Sequence, residues 1–275
     1  MWDFEHPPLD RELASRYKID WMLPSECADQ LASGAADIGL VPIAALATTP
    51  GLRILPGCTI ASKGSVRSLL LVHRDTQRLE SVRRVAADTA SRTTIAYARI
   101  LFHQWGNRDV AFLPMAADLD TMLEHADAAI VIGDPALMAL EERANRFERT
   151  GEELVYRDLA EEWHALTGLP FVSAVWGATA SKATAWSRPL EESIGDFIHS
   201  RDRGLQNIDA LAAEWAQRMA LTEQSIRSYL TTNIHYVLDE ECLEGMRGFF
   251  RMAAEAEVLP PYSFESSADA FSLRS

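Results

Sequence analysis

The segment VAADTASRTTIAYARILFHQW, residues 85–105, changes its period in mid-course. It opens on the end of an apolar run, residues 82–87, that reads as a buried strand. It closes on apolar residues at helical spacing over residues 92–104. Between the two lies Asp88-Thr89-Ala90-Ser91-Arg92-Thr93-Thr94, a turn with four hydroxyls and an arginine. A strand that feeds a helix through a short turn is the building unit of an α/β protein. Ser91 is placed as N-cap, which leaves the amides of Arg92, Thr93 and Thr94 without helical acceptors. Such a terminus carries roughly +0.5 charge and receives carboxylate or phosphate. The Thr93 and Thr94 hydroxyls add donors, and Arg92 adds a full charge. The same residues also read as a plain capped helix, with threonines facing solvent and Arg92 paired to Asp88.

The alternation extends in both directions. Upstream, Trp21-Met22-Leu23 is short and apolar, and Pro24-Ser25 starts a helix with Ser25 as N-cap and Gly34 as its terminator. Strands follow over 37–41 and 68–73, with a shorter one at Ile54-Leu55. Downstream, strands are expected at 110–113 and 128–132. Helices are expected at 117–125 and at 135–147, the latter capped by Asp134. Strands spaced by helices imply a parallel sheet. Residues 171–176 form the last strong strand. Beyond it come helices over 189–203, 208–220, 223–231 and 240–256, with Asn207, Thr222 and Asp239 as N-caps and Gly204 as a helix end. The serine-rich tail after Pro260-Pro261 is expected to be loosely ordered. Two α/β portions and a helical close suit two lobes: residues 1–68 with 174–275, and residues 69–173. A ligand would lie between them.

Composition bounds the function. The 275 residues are 48% hydrophobic and 24% charged, as in a soluble globular protein. The net charge of −14 opposes binding to nucleic acid or to an anionic membrane. No apolar stretch approaches the ~20 residues of a membrane span. The opening MWDFEHPPLD does not read as a signal peptide. Cys27, Cys58 and Cys242 are far apart and lack metal-ligand spacing, which implies reduced thiols in the cytoplasm. No metal or other cofactor is expected.

Two further turns carry candidate site residues. In Gly64-Ser65-Val66-Arg67-Ser68, alternation puts Val66 and Ser68 on one face and Ser65 and Arg67 on the other. This turn is either a ligand contact or a polar cap on the strand behind it. In Ile132-Gly133-Asp134-Pro135, Gly133 permits close backbone approach and Asp134 is an N-cap with Pro135 at the first helical position. The nucleophile elbow, the P-loop, the dinucleotide fingerprint and the zinc-protease helix are all missing. The scattered histidines 6, 73, 103, 125, 164, 199 and 235 read as packing or surface residues. Trp105, Trp163, Trp186 and Trp215 fall on helical patterns and read as core. The residues alone therefore reach an α/β, two-lobed binder of a small anion.

Taken in order, "GAADIGLVPIAAL", "ILPGCTIASKGSVRSLLL", "DTASRTTIAYARIL", "AAIVIGDPAL", "DLAEEWHALTGLPFVSAVWGA" and "IHYVLDEECLEGMRGFFRMAAEAEVL" span nearly the whole chain. Together they resemble the chorismate dehydratases of the futalosine route to menaquinone. The resemblance implies a type II periplasmic-binding-protein-like fold in a cytoplasmic enzyme. It also implies loss of water from chorismate, a dicarboxylate, to give 3-[(1-carboxyvinyl)oxy]benzoate. Ser68, Ser91, Arg92, Thr93 and Thr94 would then line the cleft, with Val66, Gly133 and Asp134 beside them. The family begins with a strand and an S-x-L-N-x-x-P-L turn whose asparagine faces the cleft. Met1-Trp2-Asp3-Phe4 resembles the residues just after that turn, so this strand and its asparagine are expected to be missing here. The resemblance also touches the sister enzyme that makes 1,4-dihydroxy-6-naphthoate, but the S-R-T-T and G-L-P-F motifs suit the dehydratase better and the sister's histidine base is not placed by them. A plain solute-binding protein or a regulator's effector domain would require a leader or a helix-turn-helix, and neither is legible.

Overall fold

The computed structural model describes residues 1–87, 92–179, 190–219 and 221–263. Its strands fall into two sheets. The first contains β1 (Ile38–Pro42), β2 (Leu52–Ser62), β8 (Phe171–Thr179) and β9 (His235–Leu238), in the order β1-β8-β2-β9. The second contains β3 (Leu69–Arg74), β4 (Arg84–Ala87), β5 (Ala111–Pro114), β6 (Ala128–Ile132) and β7 (Leu154–Asp158), in the order β5-β4-β6-β3-β7.

The parallel sheet expected from the alternation is confined to part of the second sheet. There β4 is parallel to β5 and β6, and β3 is antiparallel to β6 and β7. The route of the chain explains this. β3 enters from the first sheet, so it starts at the edge where β4, β6 and β7 end. In the first sheet every pairing is antiparallel. β2 is far longer than the expected Ile54-Leu55 strand. Its register shifts between Ile54 and Thr59, around Gly57 at φ +96°, and this bend lets it pair with both β8 and β9.

Helix Arg92–Gln104 has the expected bounds and is buried on most of its circumference. Its Tyr97 is fully buried, with ring centroids 4.9 Å from Trp163, 4.1 Å from Phe171 and 4.4 Å from Phe249. The Tyr97 hydroxyl donates to the Val172 carbonyl at 3.3 Å. This aromatic knot joins the second sheet's helix to β8 and to helix Glu240–Glu255, each ring pair contributing about 0.5–1.5 kcal/mol. Leu69, Leu71 and Val85 share one apolar core with Val41, Leu52 and Val175, so the two sheets are packed through a continuous interior.

Several local expectations are corrected. Trp21-Met22-Leu23 forms no strand, and Trp21 is 74% exposed. Helix Pro24–Ser33 is capped from Leu23, not Ser25. Pro24 is preset for the first turn, and the Leu23 amide donates to Glu26 Oε2 at 3.0 Å. Gly204 does not end its helix, which runs Leu190–Gln206. A Cβ at Gly204 would come within 3.3 Å of Trp2 Cβ, so the glycine serves close helix packing. Trp163 is core, but Trp215 lies at the surface beneath Arg218. Trp186 lies outside the described residues, as does the tail from residue 264. No helix among the described residues is long and apolar enough to cross a membrane.

Candidate functional site

One edge of the second sheet collects the turns singled out in the sequence. Leu69, at the start of β3, pairs with Ile132 at the end of β6, and Leu70 pairs with Asp158 at the end of β7. Ala87, at the end of β4, pairs with Ile130. The crossover into β3, the Gly133 turn and the start of helix Arg92–Gln104 therefore project from the same edge, toward the first sheet. Val66, Ser68, Arg92, Thr93, Thr94, Gly133 and Asp134 all belong to this edge. Ser91 lies outside the described residues, as does Asp88.

The crossover turn is held from several sides. Val66 and Ser68 are both buried, as expected from their common face. Arg67 between them has φ +62°, a left-handed conformation that is costly for a side-chain-bearing residue. The Asp158 carboxylate supports it by accepting the Arg67 amide at 2.6 Å. The same carboxylate accepts the amides of Ala160 and Glu161 at 3.0 and 3.1 Å, and so caps helix Leu159–Thr167. Burial raises the Asp158 carboxyl above the usual range despite these amide bonds. Outside the turn, Arg67 pairs with Glu141 at 3.1 Å, and Glu141 also accepts from Ser225 Oγ at 2.5 Å.

Ser68 stands where these parts meet. Its carbonyl accepts the Gly133 amide at 2.8 Å, and its hydroxyl accepts from the Tyr229 phenol at 3.1 Å. Asn233, one turn beyond Tyr229, donates to the Ser65 carbonyl and hydroxyl at 2.9 and 3.2 Å. Its buried Oδ1 has no hydrogen-bond partner among the described residues. Gly133 has φ +71° and ψ −139°, backbone geometry open in practice to glycine alone. The helix therefore starts at Asp134, one residue earlier than expected, and Gly133 takes the N-cap place assigned to Asp134. Asp134 is exposed in the first turn, where a carboxylate suits the helix dipole.

At the start of helix Arg92–Gln104 the threonines do not face solvent: Thr93 is 1% and Thr94 3% exposed. Thr93 Oγ1 accepts the Ala44 amide at 3.0 Å, which ties this edge to the segment after β1. Arg92 is 55% exposed on its side chain and reaches Asp29 at 4.0 Å. Hydroxyls, helix-end amides and an exposed guanidinium thus lie along one edge of the second sheet, on the side of the first. That donor set can hold a small carboxylate ligand against a net charge of −14.

Two other features compete for attention. His235, Asp239 and Cys242 bring possible metal-ligand atoms within 4.8 Å of one another. Lys63 already occupies Asp239 Oδ2 at 2.9 Å, and His235 Nε2 lies at the same distance. Burial works against the Asp239 carboxylate, but Lys63 and the Cys242 amide bring it well below the usual range. Burial and the Asp239 charge push the Cys242 thiol up to about 12. A metal ion would have to displace Lys63 and strip a strongly held thiol proton, so the group reads as a braced helix cap. A cavity of about 550 Å³ opens at the other end of helix Arg92–Gln104, lined by Arg99, His103, Arg108, Glu255 and Glu257. Its lining mixes basic with acidic side chains, and it lies at the far end of the helix from the three turns.

Tyr229, Asn233, Asp158 and Ala44 were not among the residues singled out in the sequence. Only Asp158 left a local signal, since D-L-A-E reads as a helix cap with glutamate at the third position.

A family model described as menaquinone biosynthesis matches residues 5–255. Chorismate dehydratase of Thermus thermophilus is 27% identical over 250 residues, covering 89% of this chain and 88% of the relative. Among solved structures, a protein of Archaeoglobus fulgidus superposes with TM-score 0.67 at 14% identity, covering 94% of each chain. The alkanesulfonate-binding protein of Xanthomonas axonopodis pv. citri gives TM-score 0.63 at 15% identity, over 91% of this chain and 86% of that one. A Candida albicans protein with the generic periplasmic-binding-protein fold gives 0.60 at 13%, over 91% and 84%. The fold is periplasmic-binding-protein-like.

Proposed function

We propose that this chain, which belongs to the menaquinone biosynthesis family, is a chorismate dehydratase that converts chorismate to 3-[(1-carboxyvinyl)oxy]benzoate and water. The observation that carries this reading is the donor-rich edge between the sheets, where Ser68, Thr93 and Thr94 are buried and Arg92 stands at the rim. A dicarboxylate suits such an edge, and the name of the Thermus relative supports chorismate as that dicarboxylate. In this reading residues 1–68 and 174–275 act as one lobe and residues 69–173 as the other, with the small-molecule substrate between them.

The reaction breaks the C–H bond at the ring carbon that bears the ether. Its electron pair forms the new ring double bond, and the neighbouring hydroxyl departs. A carboxylate of the substrate takes the ring proton and passes it to the departing oxygen, so water leaves and charge balances. Aromatisation supplies the driving force. The protein's task is to fix the reactive conformer and stabilise charge. Ser68, Thr93, Thr94 and the helix-end amides hold carboxylate oxygens, Arg92 adds charge at the rim, and Gly133 lets the ring approach the backbone. No metal or other cofactor takes part in this scheme, and a biosynthetic enzyme of this kind works in the cytoplasm. Incubation with chorismate tests the reading: an aromatic absorbance should rise as chorismate is consumed, and unconsumed chorismate overturns it.

A further inference from the structure

Tyr229 begins the π-helical segment Tyr229–Asn233 that prolongs helix Glu223–Ser228. The widened turn is closed by the Ile234 amide donating to the Tyr229 carbonyl at 3.2 Å. Such local widening costs hydrogen-bond geometry and recurs at functional sites. Here it turns two side chains onto one short stretch: Tyr229 onto Ser68, and Asn233 onto Ser65. Both ends of the crossover turn are thereby clamped from a segment more than 160 residues away in the chain.

The direction of the Tyr229–Ser68 bond has a consequence. A phenol is the more acidic of the two hydroxyls, and burial raises this phenol further, so it keeps its proton at neutral pH and donates. Ser68 Oγ then acts as acceptor, while its carbonyl accepts the Gly133 amide. No acceptor for the serine proton stands among the described residues, which leaves it for a ligand carboxylate at the donor-rich edge.

We infer that Tyr229 is a positioning residue: its phenol fixes Ser68 Oγ as an acceptor and so aims the Ser68 proton at a carboxylate of the bound substrate. The inference rests on the dehydratase reading, and the two can fail separately. Tyr229→Phe keeps the ring and removes the donor, and Ser68→Ala removes the hydroxyl it orients. Loss of one hydrogen bond to a charged group predicts a fall in kcat/KM of about tenfold or more for each. The pair should act as one unit, so the double variant falls no further than Ser68→Ala alone. A structural role for Tyr229 would instead give multiplying losses and a lowered unfolding midpoint. Wild-type turnover with Tyr229→Phe unchanged, or with multiplying losses, overturns the inference and leaves the dehydratase reading standing. A wild-type chain that leaves chorismate intact overturns both.

Discussion

Thr93 shows how one side chain can serve both the fold and the site. Its Oγ1 accepts the Ala44 amide across the two sheets, and the proposed substrate role rests on the proton that this bond does not use. Thr93→Val keeps the shape but strands a buried amide, which costs about 1–3 kcal/mol. Urea unfolding should show that loss, and Thr93→Ser should recover most of it. If Thr93→Val is as stable as the wild type, the bridge to Ala44 is not formed. His73 gives a pH signature. Burial pushes its imidazole down, while Nδ1 donates to the Arg74 carbonyl at 2.9 Å and Nε2 accepts from Arg157 at 3.3 Å. The unfolded histidine titrates at about 6.5. Below that pH the unfolded chain binds a proton that the folded chain refuses, so stability falls as pH drops, until the lower folded value is passed. His73→Gln should flatten this part of the melting profile, and an unaltered slope would remove His73 as its source. Residues of this scale were legible where the chemistry is local. Thr93, Ser68 and Gly133 stand out because turns advertise hydroxyls and glycine. Tyr229 and Asn233 do not, because their pattern continues a helix and only tertiary placement sets them over the crossover.

At the scale of elements, glycines in the helical close mark how tightly the layers pack. A Cβ at Gly245 would lie 2.4 Å from the Pro170 carbonyl oxygen, against the entry to β8. Gly245→Ala must push helix Glu240–Glu255 off that strand, and overpacking of this kind costs about 1–3 kcal/mol. Gly195, in helix Leu190–Gln206, meets nothing within 4 Å, so Gly195→Ala should stabilise by roughly 0.5–1 kcal/mol. Opposite shifts in denaturation midpoint are expected, and shifts of the same sign would contradict the packing described. Strongly periodic elements were readable in the sequence: helix Arg92–Gln104 and β6 keep their expected bounds, and Thr222 and Asp239 cap as expected. β7 and β9 were missed because Leu154–Asp158 and His235–Leu238 are short and have no fully buried residue, so neither shows a strong apolar run. Gly204 misled because a glycine that admits Trp2 looks the same in sequence as one that ends a helix.

For the whole molecule, the decisive feature is that β3 runs against its neighbours. That reversal puts the crossover turn beside the ends of β4, β6 and β7, and so brings the turns of the proposed site, between residues 66 and 134, to one sheet edge. Alternation of strand and helix signalled the α/β class, but strand direction depends on where the chain passes between sheets, and no residue pattern records it. Substrate binding between the sheets should stabilise both together, since ligand held only by the folded state raises the unfolding midpoint. The most direct test of the account is a time course of chorismate followed by mass spectrometry, run in parallel with wild type and Ser68→Ala. The account predicts conversion to a species lighter by one water, at least about tenfold more slowly in Ser68→Ala. Chorismate left intact by the wild type, or consumed equally fast by Ser68→Ala, would contradict it.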